Sequence, residues 1–364
     1  MKRYITILLT IASVAACTKS TVTLDQPEPI AIVPVTAHMS KAAVNGTPKN
    51  QDLLIWANYA TAGTNTQVGD VYFDRALFRG NGYIWTADGY FWPKSGKLTL
   101  SGCTALPPGN GTIAYHYADD TTTTDIDEAN TITVTDYKQS LNPARTVDFL
   151  WFNKTEPADH QNGNLAVEMQ HALTWVTIQV QGLGGSIGWN VESIVLKGVE
   201  DIGSLTCTID GAEWINQRSS SNATDITVYQ APKSGTEPYC QLEEQANVIE
   251  NTQNGTVLIP QVPVDMEVKY HTTDEPSDGT MRSKTLNLAI SASDDNNFWE
   301  AGKHYVYTVT FNPYQITFAV NTNSWGDTDD NIVDKIVDNY VHKDLPDFDE
   351  IDGHDNTPKI ENKN

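Results

Sequence analysis

Alternation of apolar and polar residues with a period of two constrains the fold of this chain more than any other feature of its sequence. Val176, Ile178 and Val180 share one face of a segment whose other face carries Thr177 and Gln179. The same period recurs in four later segments, at 266–270, 286–290, 305–311 and 316–320. One apolar face with this period is typical of half-buried antiparallel strands, and many short strands in succession favour a sandwich or barrel. The pattern predicts an all-β protein.

The first half of the chain alternates less regularly. From residue 53 to about residue 160, short apolar runs are separated by Gly, Asn and Pro, which is typical of strands joined by turns. We place a domain boundary at Asn162-Gly163-Asn164, where the cleaner alternation begins. The sequence therefore predicts two tandem domains, at 41–163 and 164–326, each a sandwich or a barrel.

The charge balance limits the classes of partner. The 364 residues include 46 acidic and 23 basic side chains, for a formal net charge of −23. This argues against nucleic acid, because a phosphate backbone requires a basic surface, and against electrostatic docking on an anionic membrane. Composition does not indicate disorder, since 39% of the residues are hydrophobic, with 9 Trp and 15 Tyr.

The N-terminus has the features of a lipoprotein signal. Lys2 and Arg3 precede an apolar run that is too short to span a bilayer. The run ends at Val14-Ala15-Ala16-Cys17, which is similar to a bacterial lipobox. We expect residues 1–16 to be removed and Cys17 to be lipidated, so that lipid tethers the protein to a membrane. The alternative is an ordinary signal peptide with a chance cysteine.

The ends of the mature chain differ from its middle. Residues 17–40 are rich in Thr, Pro and Val, which is typical of a tether or an early extended strand. Residues 327–364 hold 12 acidic and 4 basic side chains, and apolar pairs recurring every four residues predict a short helix within this acidic tail. The acidic residues after Lys343 do not match the ligand spacing of an EF-hand.

The cysteines leave two alternatives open. Cys103, Cys207 and Cys240 remain after Cys17, and an odd count cannot form a complete disulfide framework. Cys207 and Cys240 either pair, if their strands are adjacent, or are buried free thiols. No CxxC motif or Cys/His cluster suggests zinc, so we expect neither a metal nor a cofactor.

No set of residues predicts a catalytic centre. Gly184 to Gly188 matches the G-x-S-x-G pattern of a hydrolase around Ser186, but that chemistry requires a helix after the serine. Trp189 to Leu196 has strand character instead, so a glycine-rich hairpin loop is the better interpretation. His116 and His171 lack metal-ligand spacing and are interpreted as structural. We therefore expect a protein that is not an enzyme.

Aromatic residues in the first half offer a candidate ligand surface. Trp85, Tyr90 and Trp92 lie close together in the sequence, with Phe91 among them. If their rings are exposed, they form a platform on which sugar faces stack; the alternative is that they fill the N-terminal core. An exposed platform favours a surface glycan-binding lipoprotein of a nutrient-uptake system.

Several segments together resemble the fimbrillin family, the lipoprotein pilins of Bacteroides-type bacteria. Their order and spacing cover about residues 80 to 325. The segments are the lipobox at 14–17, Tyr90 to Pro93 with Gly96 to Leu98, Ala166 to Val180, Val257 to Gln261 with Val268 to Tyr270, Trp299 to Tyr307, and Ile316 to Trp325.

The resemblance implies two transthyretin-like β-sandwich domains and export as a lipoprotein to the cell surface. In this family a protease removes the lipidated N-terminal segment together with its first strand. The vacated groove accepts a strand from another fimbrial subunit through main-chain hydrogen bonds. Repetition of this head-to-tail contact produces an open filament, the fimbrium, which serves in cell adhesion to a host or bacterial surface ligand.

The processing site departs from the family pattern. Well-studied fimbrillins are cleaved after an arginine, but no arginine lies between Cys17 and Leu53, so Lys41 and Lys49 are the candidates. Without cleavage the protein remains an anchor or cap.

The end of the chain carries both the candidate donor strand and a second departure. The resemblance makes Ile316, Phe318 and Val320 the apolar face of that strand. The acidic tail beyond it raises the prospect of an accessory, anchor or tip subunit. Separately, Asp120-Thr121-Thr122 is similar to the O-glycosylation sequon of this bacterial phylum and makes Thr121 a candidate acceptor.

Overall fold

The computed structural model of the protein describes most of the chain between residues 28 and 324. Every regular element among the described residues is a β-strand, so the prediction of an all-β protein is confirmed. No helix within these residues has the length and apolarity needed to cross a bilayer. The described residues are 28–34, 51–60, 70–80, 84–117, 130–142, 146, 148–158, 164–183, 188–208, 210–216, 223–231, 240–242, 247–248, 255–272, 281–290 and 297–324.

The described residues form twenty-two strands. The first ten are β1 (Pro29–Pro34), β2 (Leu53–Ala60), β3 (Asp70–Gly80), β4 (Trp85–Phe91), β5 (Lys97–Thr104), β6 (Thr112–His116), β7 (Thr131–Lys138), β8 (Leu150–Ala158), β9 (Asn164–Val167) and β10 (Gln170–His171). The remaining twelve are β11 (Thr174–Gly182), β12 (Trp189–Glu200), β13 (Ile202–Cys207), β14 (Ala212–Asn216), β15 (Ala223–Gln230), β16 (Cys240–Gln241), β17 (Asn247–Val248), β18 (Thr256–Leu258), β19 (Asp265–Thr272), β20 (Arg282–Asn287), β21 (Lys303–Phe311) and β22 (Ile316–Ser324).

Eight of these strands form one sheet in the N-terminal half, in the order β10-β8-β5-β2-β3-β4-β1-β9. Its central strands are buried on both faces, because successive side chains point to opposite sides of a strand. On β2, for example, Leu53 and Ile55 enter one core while Leu54 and Trp56 enter another. This explains why such segments are continuous apolar runs in the sequence and do not alternate.

The second of those cores is covered by a four-stranded sheet with the order β14-β13-β7-β6. The predicted boundary at 163/164 does not describe this arrangement. β9 and β10 follow it but pair with β1 and β8, and the hairpin β13–β14 returns to pair with β7. The boundary therefore falls too early, because pairing between strands far apart in sequence leaves no signal at the point where the chain crosses.

Two five-stranded sheets form the C-terminal sandwich. One has the order β17-β11-β21-β22 with β18 also paired to β11, and the other has the order β15-β12-β19-β20 with β16 paired to β12. Their facing side chains form a single core, with Val176 and Ile178 of β11 and Met266 and Val268 of β19 among its members. The alternation seen in the sequence thus corresponds to alternating burial. The transthyretin-like topology remains a prediction.

The two halves share buried contacts. Val257 and Ile259, in and beside β18, pack in the same core as Trp56 and Trp151 of the N-terminal half. The backbone N–H of Ile259 donates a hydrogen bond to Oε1 of Gln139 at 2.8 Å, although 120 positions separate the two residues. Because such contacts are both apolar and hydrogen-bonded, they hold one half against the other.

The placement of the cysteines contradicts one of the two alternatives, the disulfide bond between Cys207 and Cys240. Cys103 and Cys207 are free and buried in the same N-terminal core. A bond between Cys207 and Cys240 is therefore wrong, because Cys207 lies on β13 in the four-stranded sheet whereas Cys240 begins β16 beside β12. Burial raises the pKa of both core thiols well above that of an exposed cysteine.

Candidate functional site

Strand β1 is the feature of this fold with the clearest functional interest. It lies between β4, to which it is antiparallel, and the short edge strand β9, to which it is parallel. Ile32 pairs with Trp85 of β4 on one side and with Leu165 of β9 on the other. At the start of the strand, the backbone N–H of Trp92 donates to the carbonyl of Glu28 at 2.8 Å. β1 thus closes a gap in the sheet.

The side chains of β1 are buried on both faces of the sheet. Ile30 and Ile32 are 0% exposed and belong to the N-terminal core. Ala31, whose side chain points the opposite way, is 5% exposed. If β1 left, a groove of matching shape, with an apolar floor, would remain between β4 and β9.

Trp85 and Trp92 form part of that floor. They are 2% and 5% exposed, and the indole Nε1–H of Trp85 donates to the carbonyl of Gln51 at 2.7 Å. Gly80 lies so close to this indole that a Cβ at position 80 would meet Nε1 at 2.2 Å. The glycine at position 80 of the neighbouring strand β3 therefore leaves the space that the Trp85 indole occupies.

The connection that follows β1 contains the candidate processing residues. Lys41 and Lys49 lie between Pro34, the end of β1, and Leu53, the start of β2. Both lysines are outside the described residues, so the structure says nothing of their surroundings. A cut after either one would separate β1 covalently from the rest of the fold.

The candidate donor strand, β22, lies elsewhere. It pairs with β21 along all nine of its residues, from Ile316 opposite Phe311 to Ser324 opposite Lys303. Ile316, Phe318 and Val320 point into the C-terminal core. β22 ends the order of its sheet and carries no strand on its other side within the described residues. The structure therefore does not bring β1 and β22 together within one chain.

Comparison with protein-family models shows the family to which this chain belongs. The family model described as fimbrillin-like matches residues 40–325 of the chain. The chain belongs to the fimbrillin-like family. No curated protein matches it.

Solved structures agree on the fold of this fimbrillin-like chain. A fimbrial protein from Bacteroides vulgatus ATCC 8482 is similar at a TM-score of 0.55, with 14% identity, over 82% of this chain and 99% of that one. A putative cell adhesion protein from Bacteroides uniformis ATCC 8492 is similar at a TM-score of 0.50, with 11% identity and the same two coverages. At these identities the likeness supports the fold alone.

The predicted aromatic platform of this fimbrillin-like chain is wrong for two of its three residues. Trp85 and Trp92 lie in the core, where no sugar reaches them, because both flank the groove that β1 fills. Tyr90 is half-buried, and its ring packs edge-on against Phe73 with the centroids 4.9 Å apart. The alternative, that these rings fill the core, describes Trp85 and Trp92 better.

Three other aromatic residues are exposed: Phe91, which lies within the predicted aromatic cluster, and Tyr72 and Tyr314, which the sequence did not single out. Tyr72 and Phe91 are exposed near the start of β1, and Tyr314 is 83% exposed in the turn before β22. A single exposed ring in a strand-rich sequence has no distinctive local signal. The pairing of Phe91 with Pro29, which places it at the groove, became visible only in the sheet register.

The histidines have structural surroundings where they are described. His171 Nδ1 lies 2.7 Å from Oδ2 of the buried Asp148. His304 stacks on Trp175 with ring centroids 3.6 Å apart, its Nε2 lies 2.9 Å from Oγ1 of Thr177, and burial lowers its pKa to about 4.

Several predicted sites lie outside the described residues. They remain predictions: the lipidation of Cys17, cleavage after Lys41 or Lys49, glycosylation of Thr121, the loop around Ser186 and the helix in the 327–364 tail.

Proposed function

We propose that this protein is a non-enzymatic fimbrial subunit assembled by strand exchange after proteolysis. Cleavage after Lys41 or Lys49 frees the segment that carries β1. Departure of β1 opens the groove between β4 and β9, and a strand from another subunit fills it. The single observation that carries the proposal is the complete burial of Ile30 and Ile32 in a strand that precedes both candidate cleavage sites.

The stability of β1 in the intact chain explains why strand exchange would require cleavage of the chain. Burying two isoleucine side chains stabilises the intact chain by roughly 3 to 6 kcal/mol, to which the hydrogen bonds with β4 and β9 add. While β1 is tethered, an incoming strand must compete with a partner at high effective concentration. Cutting the tether removes that advantage, so exchange becomes possible only after cleavage.

The donor in this proposal is β22, whose Ile316, Phe318 and Val320 alternate with half-buried polar or small residues. Leaving its own sheet uncovers part of the C-terminal core, so strand exchange is expected to be slow. Burial of the same three side chains in the groove of the next subunit offsets this cost. Because the donor site and the acceptor groove lie on different sheets, repeated exchange extends a chain head to tail.

The proposal places the protein on the cell surface. Lipidation at Cys17 would hold the precursor in the outer membrane, and cleavage would release the subunit into a fimbrium. An uncut chain would stay lipid-bound as an anchor, and the 327–364 tail makes an accessory, anchor or tip subunit a further form of the same function. The partners are then other fimbrial subunits, the membrane lipid and a ligand on a host or bacterial surface.

A controlled cut tests the proposal. A specific protease site is inserted between Lys41 and Lys49, and the full chain is incubated with and without the protease. We expect SDS-resistant ladders on gels and filaments by electron microscopy only after the cut. A matched chain with the same insertion after Ser324, cut at that position, is the control. A chain that stays monomeric after the cut between Lys41 and Lys49 contradicts the proposal.

A further inference from the structure

Strand β20 forms one edge of the C-terminal sandwich. Its sheet has the order β15-β12-β19-β20, and within the described residues β20 pairs with β19 alone. An edge strand leaves one row of backbone N–H and C=O groups open, to which a strand of another chain can add. β20 runs over six residues, from Arg282 to Asn287, which is an ordinary length for a paired strand. This edge is therefore a place where two copies of the chain could join side by side.

Two basic residues occupy core-facing positions of this edge strand. Lys284 lies opposite Val268 and Arg282 lies opposite Tyr270, and both partners on β19 belong to the C-terminal core. Directly paired residues of antiparallel strands have their side chains on the same face. Leu286, at the next position on this face, is 3% exposed, whereas Arg282 and Lys284 are half-buried. The inner face of β20 thus changes from apolar to positively charged along the strand.

The hydrogen bonds on the outer face agree with this orientation. Oγ of Ser283 donates to Oε1 of Glu267 at 2.8 Å, and Nδ2 of Asn287 donates to Oδ1 of Asp265 at 2.7 Å. Thr285, which lies between Ser283 and Asn287 on the same face, is exposed. The side chains that β20 itself places on its outer face are therefore small, polar and uncharged, and both of its charges lie on the inner face.

The long stems of arginine and lysine explain how charged residues can occupy core-facing positions. Such side chains lay their methylene groups on apolar surface while their charged ends reach water. Val268 is 0% exposed and Tyr270 is 7% exposed, although β20 alone lies between them and the open edge. A further strand beside β20 would cover the charged ends and take away their water, which is costly without a matching negative charge. Arg282 and Lys284 therefore oppose the addition of a strand here.

An edge of the facing sheet lacks this feature. β22 ends the order of the other five-stranded sheet, and Ile316, Phe318 and Val320 occupy its core-facing positions. Its nine residues include no Asp, Glu, Lys or Arg. Charge at core-facing positions thus distinguishes β20 from β22, although both strands border the same core.

We infer that Arg282 and Lys284 prevent β20 from pairing with β20 of a second copy of this chain. A two-fold axis through the sheet would pair the two strands antiparallel and bring the basic side chains of both copies to one face. Like charges on paired strands repel each other, and the added strand would also cover them. The inference concerns the uncut chain and does not rest on the proposed function. Its consequence is that copies do not join side by side at this edge.

Neutral side chains of similar length test the inference. The double variant Arg282→Met, Lys284→Met keeps the apolar stems over Val268 and Tyr270 but removes both charges. The matched control, Ser283→Val with Thr285→Val, adds apolar surface to the outer face of the same strand. A charge-reversed variant, Arg282→Glu with Lys284→Glu, keeps charge on the inner face. Sedimentation equilibrium gives the mass of each uncut full chain, and hydrogen exchange gives the protection of the backbone at 282–287.

We expect the methionine variant to approach twice the mass of one chain as its concentration rises, with slower hydrogen exchange across 282–287. The unchanged chain, the outer-face control and the glutamate variant should keep the mass of one chain. A methionine variant that is folded by circular dichroism and stays monomeric overturns the inference. So does a control that associates equally, or an unchanged chain that already pairs through 282–287.

A second neutral pair covers the case in which the methionine variant does not fold. Arg282→Val with Lys284→Val has high strand propensity and should dimerise in the same way. If both neutral pairs unfold, the charges are required for folding itself, and the inference is overturned. None of these outcomes depends on cleavage between Lys41 and Lys49, so strand exchange is tested separately.

Discussion

Ile32 of β1 lies directly opposite Trp85 of β4, and both side chains are almost completely buried. One belongs to a strand that precedes the candidate cleavage sites, and the other belongs to the body of the N-terminal half. The pair therefore links the segment proposed to leave with the core proposed to receive its replacement. Its packing makes β1 part of the fold before cleavage, and its position makes β1 separable afterwards.

Truncating Ile32 should loosen β1 in the uncut chain. Ile32→Ala removes buried methylene and methyl groups and is expected to lower the free energy of unfolding by about 2 to 5 kcal/mol. The measurement is chemical denaturation followed by tryptophan fluorescence. Leu77→Ala on β3 is the control, because Leu77 is exposed and its truncation should change stability by less than about 0.5 kcal/mol. Equal effects of both changes would contradict the burial of β1.

Filling the space beside Trp85 should also destabilise the N-terminal half. A Cβ at position 80 would meet Nε1 of Trp85 at 2.2 Å, so Gly80→Ala forces the indole or the strand to move. We expect a loss of about 1 to 3 kcal/mol. In a Trp85→Leu background the same change should cost much less, since the obstructing ring is gone. A cost that is the same in both backgrounds, measured by a double-mutant cycle, would show that the contact is not the cause.

The shared core predicts that the two halves unfold together. Gln139→Ala leaves the buried N–H of Ile259 without its acceptor and should lower stability by about 1 to 3 kcal/mol. The result expected from calorimetry is one cooperative transition that shifts as a whole. Ser140→Ala, next to it in the sequence, is the control, because the half-buried Ser140 hydroxyl bonds locally to the backbone of Asn142. Two separate transitions, of which only one responds, would mean that the halves are independent.

Stability should fall in mild acid because of His304. Burial lowers the pKa of its imidazole from 6.5 to about 4 in the folded chain. Above pH 6.5 the ring is neutral in both states and has no effect. Between pH 6.5 and 4 the unfolded chain binds the proton first, so folding loses up to about 3 kcal/mol, and below pH 4 the loss levels off.

A variant isolates this contribution. His304→Gln should reduce the loss of stability between pH 6.5 and 4, measured by denaturant titration at each pH. An unchanged slope in His304→Gln would assign the acid sensitivity to other groups.

The alternating strands of the C-terminal sandwich could be predicted from sequence. Successive side chains of a strand point to opposite faces, so apolar and polar residues alternate when only one face is buried. β22 illustrates this, since Ile316, Phe318 and Val320 are buried as the pattern predicts. The return of β13–β14 to pair with β7 could not be predicted. It depends on contacts between segments far apart in sequence, and local periodicity carries no information about them.

The candidate site was predictable only in part. The sequence predicts a tether or an early extended strand at 17–40, but the pairing of β1 with β4 and β9 follows from sheet order alone. Trp85 and Trp92 illustrate the limit most clearly, because an aromatic cluster has the same composition whether it forms a core or an exposed platform. What separates the two interpretations is β1, which covers these rings from another part of the chain.

The central claim is that β1 leaves and another strand takes its place. The most direct measurement is the mass of the subunits recovered from SDS-resistant oligomers after cleavage between Lys41 and Lys49. The account predicts subunits that begin after the cut and contain no β1 fragment. Oligomers that still retain the β1 fragment in equal amount with the rest of the chain would contradict it.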